Sequence, residues 1–181
     1  MFIAGLTEKI RDSIFFQDDN HVVYPVGHNV CLYNIEERSQ RFIPGLDGSE
    51  RITALAVSRS KRYIAIAEGT DKTPICSIYD LQTLKRRKLL ASTEIKDRSY
   101  CSIAFSQTNM EKMLVTLTEK SSPEQTDQTV YVWQWDKSKC LCLQTIQHPL
   151  GDIFGTQVSF SNTDHNIVLV TGKGTYQYFR V

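Results

Sequence analysis

Apolar residues in this chain come in short runs, many alternating with polar ones, and are broken every few residues by glycine, proline, asparagine, aspartate or charged pairs. That is the pattern of strands and tight turns. Helical periodicity is nearly absent; only 5–13 could wind, and it is short. From Ile14 onward the runs fall into groups. The first predicts strands at 14–16, 22–25, 30–35 and 41–43, with Gly27-His28-Asn29 turning between the second and third. The next group predicts 52–57, 63–67, 75–80 and 88–90, with a hairpin turn at 68–73 that contains Gly69 and Asp71 and precedes Pro74. A third predicts 101–105, 113–117, 129–135 and 140–146. Inside it, 118–129 reads TEKSSPEQTDQT, polar and without an apolar anchor, so 119–128 is expected to be mobile and solvated. The last group predicts 155–160 and 167–171, a turn at 172–174, and a closing strand, TYQYFRV.

The groups repeat. ITALAVSRSKRYIAIA at 52–67, SIAFSQTNMEKMLVT at 102–116 and QVSFSNTDHNIVLV at 157–170 each place a serine after an apolar pair, then a polar bend, then an apolar strand. The marker serines are Ser58, Ser106 and Ser161. Downstream strands close on an aromatic and a short polar residue, at Tyr79-Asp80 and Trp135-Asp136, with a weaker copy at Tyr33-Asn34. Four strands in about 40–45 residues with such a closure is what WD-type propeller blades show. The fold class is therefore all-β, a WD-type β-propeller, with blades at 14–45, 52–90, 101–146 and 155–181, the last incomplete. Propellers close with about four to eight blades. This reads as about half of a larger ring, either the N-terminal part of a longer polypeptide or a short chain that pairs with another. Unpaired terminal edges would recruit the remainder.

Composition narrows the function classes. The chain has 181 residues, 41% hydrophobic and 23% charged, with a formal net charge of +1. No global field draws it to nucleic acid or a membrane surface, and no apolar run reaches the roughly eighteen residues of a span. The start, MFIAGLTEKIRDSIFF, carries Glu8, Lys9, Arg11 and Asp12 where a signal peptide needs an unbroken apolar stretch. Five cysteines at irregular spacing fit a reducing compartment.

The wording of the repeats is more particular than a generic blade. SIFFQDDNHVVYPVGHNVCLYNIEERSQRFIPG, followed by ITALAVSRSKRYIAIAE and ICSIYDL, resembles the N-terminus of the cilia- and flagella-associated protein 57 family. The matching residues are Phe15 and Phe16, Tyr24, Pro25 and Gly27, Tyr33 and Asn34, then Gln40 and the phrase Phe42-Ile43-Pro44-Gly45. The match continues through 56–58, 62–63, 102–106 and 158–161, and so covers essentially the whole chain. Phe-Ile-Pro-Gly is fairly specific, whereas Ala-x-Ser and Phe-Ser are generic to WD repeats. Members of the family are long, with two propellers and a coiled-coil tail that these residues lack, and the 118–129 loop is longer than the family pattern. The resemblance implies a scaffold of the motile-cilium axoneme, near the inner dynein arms and their regulatory complex.

Candidate chemistry is sparse. His21, His28, His148 and His165 sit in no nucleophile context, and no G-x-S-x-G occurs. Gly172-Lys173-Gly174 lacks the spacing of a phosphate loop and reads as a hairpin. Cys140 and Cys142 would share one face of a strand, but without two further ligands a zinc site is incomplete; both read better as buried apolar residues. Asp18-Asp19 and Glu36-Glu37 read as solvated turn charges. Asp80 and Asp136 are expected to accept turn hydrogen bonds, and Trp133 and Trp135 to pack between blades. No cofactor, metal or catalytic group is expected.

Lys85, Arg86, Arg87 and Lys88 are the sharpest charged feature. Placed in the turn before the outer strand of the second blade, they would be exposed at the rim. The functional reading is docking to an acidic surface such as tubulin or an acidic coiled coil. The bland reading is an edge guarded by charge. The expected function is a non-enzymatic protein-interaction scaffold in the axoneme. Its rivals are a scaffold subunit of a non-ciliary cytosolic complex and an enzyme with a site at the central channel; the enzyme would need convergent acids, histidines or a metal cluster.

Overall fold

The computed structural model describes residues 10–92, 95, 97–107, 111–120, 122, 124–149, 153–164 and 166–181. They fold into four antiparallel sheets, each built from strands consecutive in the chain. The first holds β1 (Phe15–Phe16), β2 (His21–Val26), β3 (Asn29–Asn34) and β4 (Ser39–Pro44). The second holds β5 (Arg51–Val57), β6 (Tyr63–Gly69), β7 (Ile75–Asp80) and β8 (Arg86–Leu90). The third holds β9 (Tyr100–Phe105), β10 (Met113–Thr118), β11 (Asp127–Gln134) and β12 (Lys139–Gln147), with a 3-10 turn, Trp135–Lys137, before β12. The fourth holds β13 (Phe154–Phe160), β14 (Ile167–Lys173) and β15 (Thr175–Arg180). This is the strand grammar of a partial WD-type propeller. The inner strands β5, β9 and β13 lie side by side, and β4, β8 and β12 form outer edges.

The pleat turns each strand's alternate residues to opposite faces, and each face of the second and third sheets packs on a different neighbour. Ile64, Ile66 and Tyr79 pack with Val23, Leu32 and Ile43 of the first sheet. Ala65, Ala67 and Ile78, from the same strands, pack against Tyr100, Phe105, Tyr131, Trp133 and Trp135 of the third. Small residues on one sheet leave room for aromatics on the next. Val115, Leu117, Val130 and Val132 then meet Val158, Phe160, Val168 and Val170 of the fourth. Each fully buried side chain of this size contributes about 1.5–3 kcal/mol, so the three inter-sheet layers hold the arc together.

The marker serines have a local cause. The backbone N–H groups of Ser58, Ser106 and Ser161 donate to the carbonyls of Tyr63 (2.8 Å), Met113 (3.0 Å) and Ile167 (2.8 Å), closing the first hairpin of each repeat. Ser58 is fully buried, and its hydroxyl accepts the Tyr63 N–H at 3.1 Å.

Several expectations need correcting. Glu68 is no turn residue: β6 runs on to Gly69, and Glu68 is buried at 1% exposure. Trp135 and Asp136 lie in the 3-10 turn rather than in a strand, although Trp133 and Trp135 do share one inter-sheet cluster. Asp136 pairs with Lys112 at 3.7 Å instead of accepting turn hydrogen bonds. Cys140 and Cys142 do not form a buried pair; the register slips between Val132 and Trp133, so Cys140 is exposed and Cys142 only half-buried. Cys31 and Cys76 are the buried apolar thiols. The polar 119–128 segment is anchored at both ends. Glu119 N–H donates to Ser99 O at 2.9 Å, and Gln128, at 1% exposure, donates to Thr118 O at 2.8 Å and Gly155 O at 3.1 Å. Positions 121 and 123 of that loop, 5–9 of the short N-terminal stretch, and His165 lie outside the described residues.

Candidate interaction surface

The hairpin from β7 to β8 sets the geometry of the basic run. Asp80 ends β7 and its Oδ1 accepts the N–H groups of Gln82 and Thr83, each at 3.1 Å, while Arg62 Nε donates to Oδ2 at 3.3 Å. Burial pushes the Asp80 carboxyl up, but the Thr83, Arg62 and Gln82 donors outweigh it and hold the carboxyl below its usual range. Leu84 takes a left-handed φ of 56°, and the chain re-enters the sheet as Asp80 N–H donates to Lys85 O at 3.0 Å. Asp80 is thus a structural cap, as its place in the repeat suggests.

β8 begins at Arg86, two residues earlier than the apolar pattern shows. Lys85 alone stays in the turn, and the other three cations stand on an edge strand. Lys88 lies opposite Ile78 and Arg86 opposite Tyr79, with a bulge between the pairs that leaves Arg87 as the extra residue. Ile78 belongs to the cluster against the third sheet and Tyr79 to the cluster against the first. The pleat therefore divides the run. Arg86 stands opposite Tyr79, whose phenol pKa is pushed up by burial and pulled back by the Arg86 charge, whereas Arg87 and Lys88 border a cavity of about 470 Å³ between the second and third sheets. That cavity is also lined by Tyr63, Glu111, Lys112, Trp135 and Asp136.

A second polar cluster went unrecognised in the sequence. Glu68 Oε1 accepts Leu46 N–H and the Ser49 hydroxyl, each at 2.8 Å, and stands 3.3 Å from His28 Nε2, which itself meets Ser49 Oγ at 2.6 Å. These contacts tie the first sheet to the second. Its only sequence signal was a glutamate at the end of an otherwise apolar strand. At the inner strands, Arg11 donates to Thr156 Oγ1 at 3.3 Å and Gln157 Nε2 donates to Asp12 at 2.8 Å, linking the lead before β1 to β13. Among the described residues no group of three His, Cys, Asp or Glu side chains could hold a metal ion.

No protein-family model matches the chain. It is similar to Cilia- and flagella-associated protein 57 of Mus musculus, 32% identical over 99% of this chain and 14% of that protein. It is also similar to Cilia- and flagella-associated protein 57 C of Tetrahymena thermophila, 31% identical over 97% of this chain and 13% of that protein. A more distant likeness is to Echinoderm microtubule-associated protein-like 1 of Homo sapiens, 28% identical over 93% of this chain and 20% of that one. The chain therefore spans about a seventh of the length of the first two relatives. Among solved structures, Kuenenia stuttgartiensis hydrazine synthase superposes with a TM-score of 0.62 over 83% of this chain and 40% of its own; at 12% identity that is a likeness of fold alone. With strand grammar, sheet order and whole-chain similarity in agreement, this chain is a partial WD-type β-propeller that is similar along nearly its whole length to Cilia- and flagella-associated protein 57.

Proposed function

We propose that the chain is part of a non-enzymatic interaction scaffold of the motile-cilium axoneme, associated with inner dynein arms and their regulatory complex. The observation that carries this is the 32% identity to a cilia- and flagella-associated protein along 99% of the chain. Blades suit the task, since they present a rigid rim and loop-bearing faces. The blades at 14–45, 52–90, 101–146 and 155–181 form the N-terminal part of a propeller completed by further residues of the same or another chain. The open end of the fourth sheet supports that: Tyr176 and Tyr178 are 67% and 69% exposed on the face turned away from the third sheet. Lys85, Arg86, Arg87 and Lys88 supply a docking contact for an acidic axonemal surface such as tubulin or a coiled coil.

Expression of the tagged chain in a ciliated cell tests the location, with enrichment along the axoneme expected. Retention in the cell body would favour a microtubule-linked or other cytosolic scaffold outside cilia, a reading that the likeness to echinoderm microtubule-associated protein-like 1 supports. Incorporation into salt-stripped axonemes tests the contact. Reversing all four charges should weaken incorporation and flatten its salt dependence, because exposed ion pairs are screened within about 8–10 Å at physiological ionic strength. Equal incorporation at every salt concentration would reduce the four to guards of the β8 edge.

A further inference from the structure

The rim cavity beside β8 combines two features that the basic run alone does not have. Its floor is aromatic: Tyr63 and Trp135 lie 5.0 Å apart between ring centroids, tilted by 59°. Trp135 is locked from behind by its Nε1–H donated to Glu111 O and by an edge contact with Phe105 at 6.3 Å. Its wall is cationic, and the charges there differ in what they already bind. Of the lining cations, Lys112 is held by Asp136 at 3.7 Å; beside the groove and outside its lining, Arg62 lies over the Tyr63 ring at 5.3 Å and is held by Asp80. The Glu111 carboxylate accepts the Ser60 N–H and hydroxyl. Arg87 and Lys88 have no carboxylate partner among the described residues. Each acid at the groove thus has a partner, Asp136 through Oδ2 alone while its Oδ1 is buried and unpaired, whereas Arg87 and Lys88 face no carboxylate among the described residues.

We infer that this groove docks an acidic segment of a partner protein that seats one aromatic side chain on Tyr63 and Trp135 while its flanking carboxylates meet Arg87 and Lys88. Charge complementarity selects the acidic segment. The rigid ring floor selects an aromatic anchor, the residue type that dominates such contacts. A volume of about 470 Å³ accommodates one such side chain and a turn of backbone. The inference deepens the docking reading above and rests on it for the partner being a protein. It also divides the four cations. Arg87 and Lys88 recognise the segment, whereas Arg86, turned to Tyr79, and Lys85, in the turn, do not.

The test uses the purified chain and a fluorescein-labelled peptide, Glu-Glu-Glu-Phe-Glu-Glu, followed by anisotropy and by tryptophan quenching. Saturable binding is expected. Replacing the peptide Phe by Ala, or introducing R87Q with K88Q, should each weaken it about tenfold, whereas K85Q with R86Q should change it less than about twofold. All four side chains are exposed or half-exposed, so both double variants should keep the wild-type circular dichroism. Equal losses from the two double variants, equal binding of the Ala peptide, or an oligothymidylate binding as tightly as the Phe peptide would each overturn the inference. So would the absence of saturable binding. A wild-type chain that fails to bind the peptide yet enters axonemes normally removes the groove and leaves the scaffold standing. Conversely, R87Q with K88Q that loses the peptide yet enters axonemes normally leaves the groove standing and removes it from the axonemal contact.

Discussion

Glu68 shows how much one buried charge can organise. It lies at 1% exposure with the Leu46 N–H, Ser49 and His28 around one oxygen, and all three sit outside its own sheet. E68A leaves a buried donor set unmet and should lower stability by about 2–4 kcal/mol, read as a fall in urea midpoint; E68Q, which keeps an acceptor oxygen, should lose less. The same cluster explains why Gly45 follows Phe42-Ile43-Pro44. A Cβ there would stand 2.2 Å from His28 Nε2, so G45A must displace the ring from Glu68 and should cost about 1 kcal/mol. His148 behaves differently. It is buried, neither ring nitrogen has a partner among the described residues, and burial together with Lys120 pushes its pKa below 6.5. The unfolded chain therefore takes up the proton first as pH falls. Stability attached to His148 is full above about pH 6.5 and declines below it until the folded pKa is reached, and H148Q should flatten that part of a stability-versus-pH curve.

At the scale of elements, legibility followed period. Strands with alternating apolar residues were read within a residue or two, because the pleat requires the alternation. The marker serines were visible because each closes the same hairpin. The polar residues that lie inside strands, or hold them together, broke the pattern. The start of β8 was hidden because three cations occupy an edge strand, where one face and one backbone edge meet water. The bulge at Arg87 and the slip opposite Cys140 and Cys142 shift residues between faces, which strict alternation cannot foresee. The 119–128 loop looked untethered because its tether is a glutamine. Gln128 donates to two carbonyls and its Oε1 accepts the Gly155 N–H at 2.6 Å, bridging the third and fourth sheets. Q128A should therefore destabilise the chain by about 1–3 kcal/mol, visible in thermal melts, which a solvated loop residue would not do. Of the candidate site, the cations were legible and the groove was not, since Tyr63 and Trp135 lie far apart in sequence and meet only through sheet stacking.

Across the whole molecule, stability is shared between neighbours, as in other stacked architectures. The second and third sheets are each packed on both faces: in the second, Ile64, Ile66 and Tyr79 meet the first sheet and Ala65, Ala67 and Ile78 the third; in the third, Leu114 and Trp133 meet the second sheet and Val115 and Val132 the fourth. The fourth sheet has three strands and one packed face; β15 pairs only with β14, and no residue of β15 is fully buried. Its opening should therefore cost less than that of the central sheets. Native-state hydrogen exchange on the isolated chain should find the amides of β14 and β15 exchanging well before those of β6 and β10, although all four are hydrogen-bonded in ladders. If a further blade covers Tyr176 and Tyr178, adding the chain or segment that supplies it should slow β14 and β15 and leave β6 and β10 unchanged. Uniform protection of all four strands in the isolated chain would mean that the fourth sheet is already held on its second face, and would count against a ring still to be completed there.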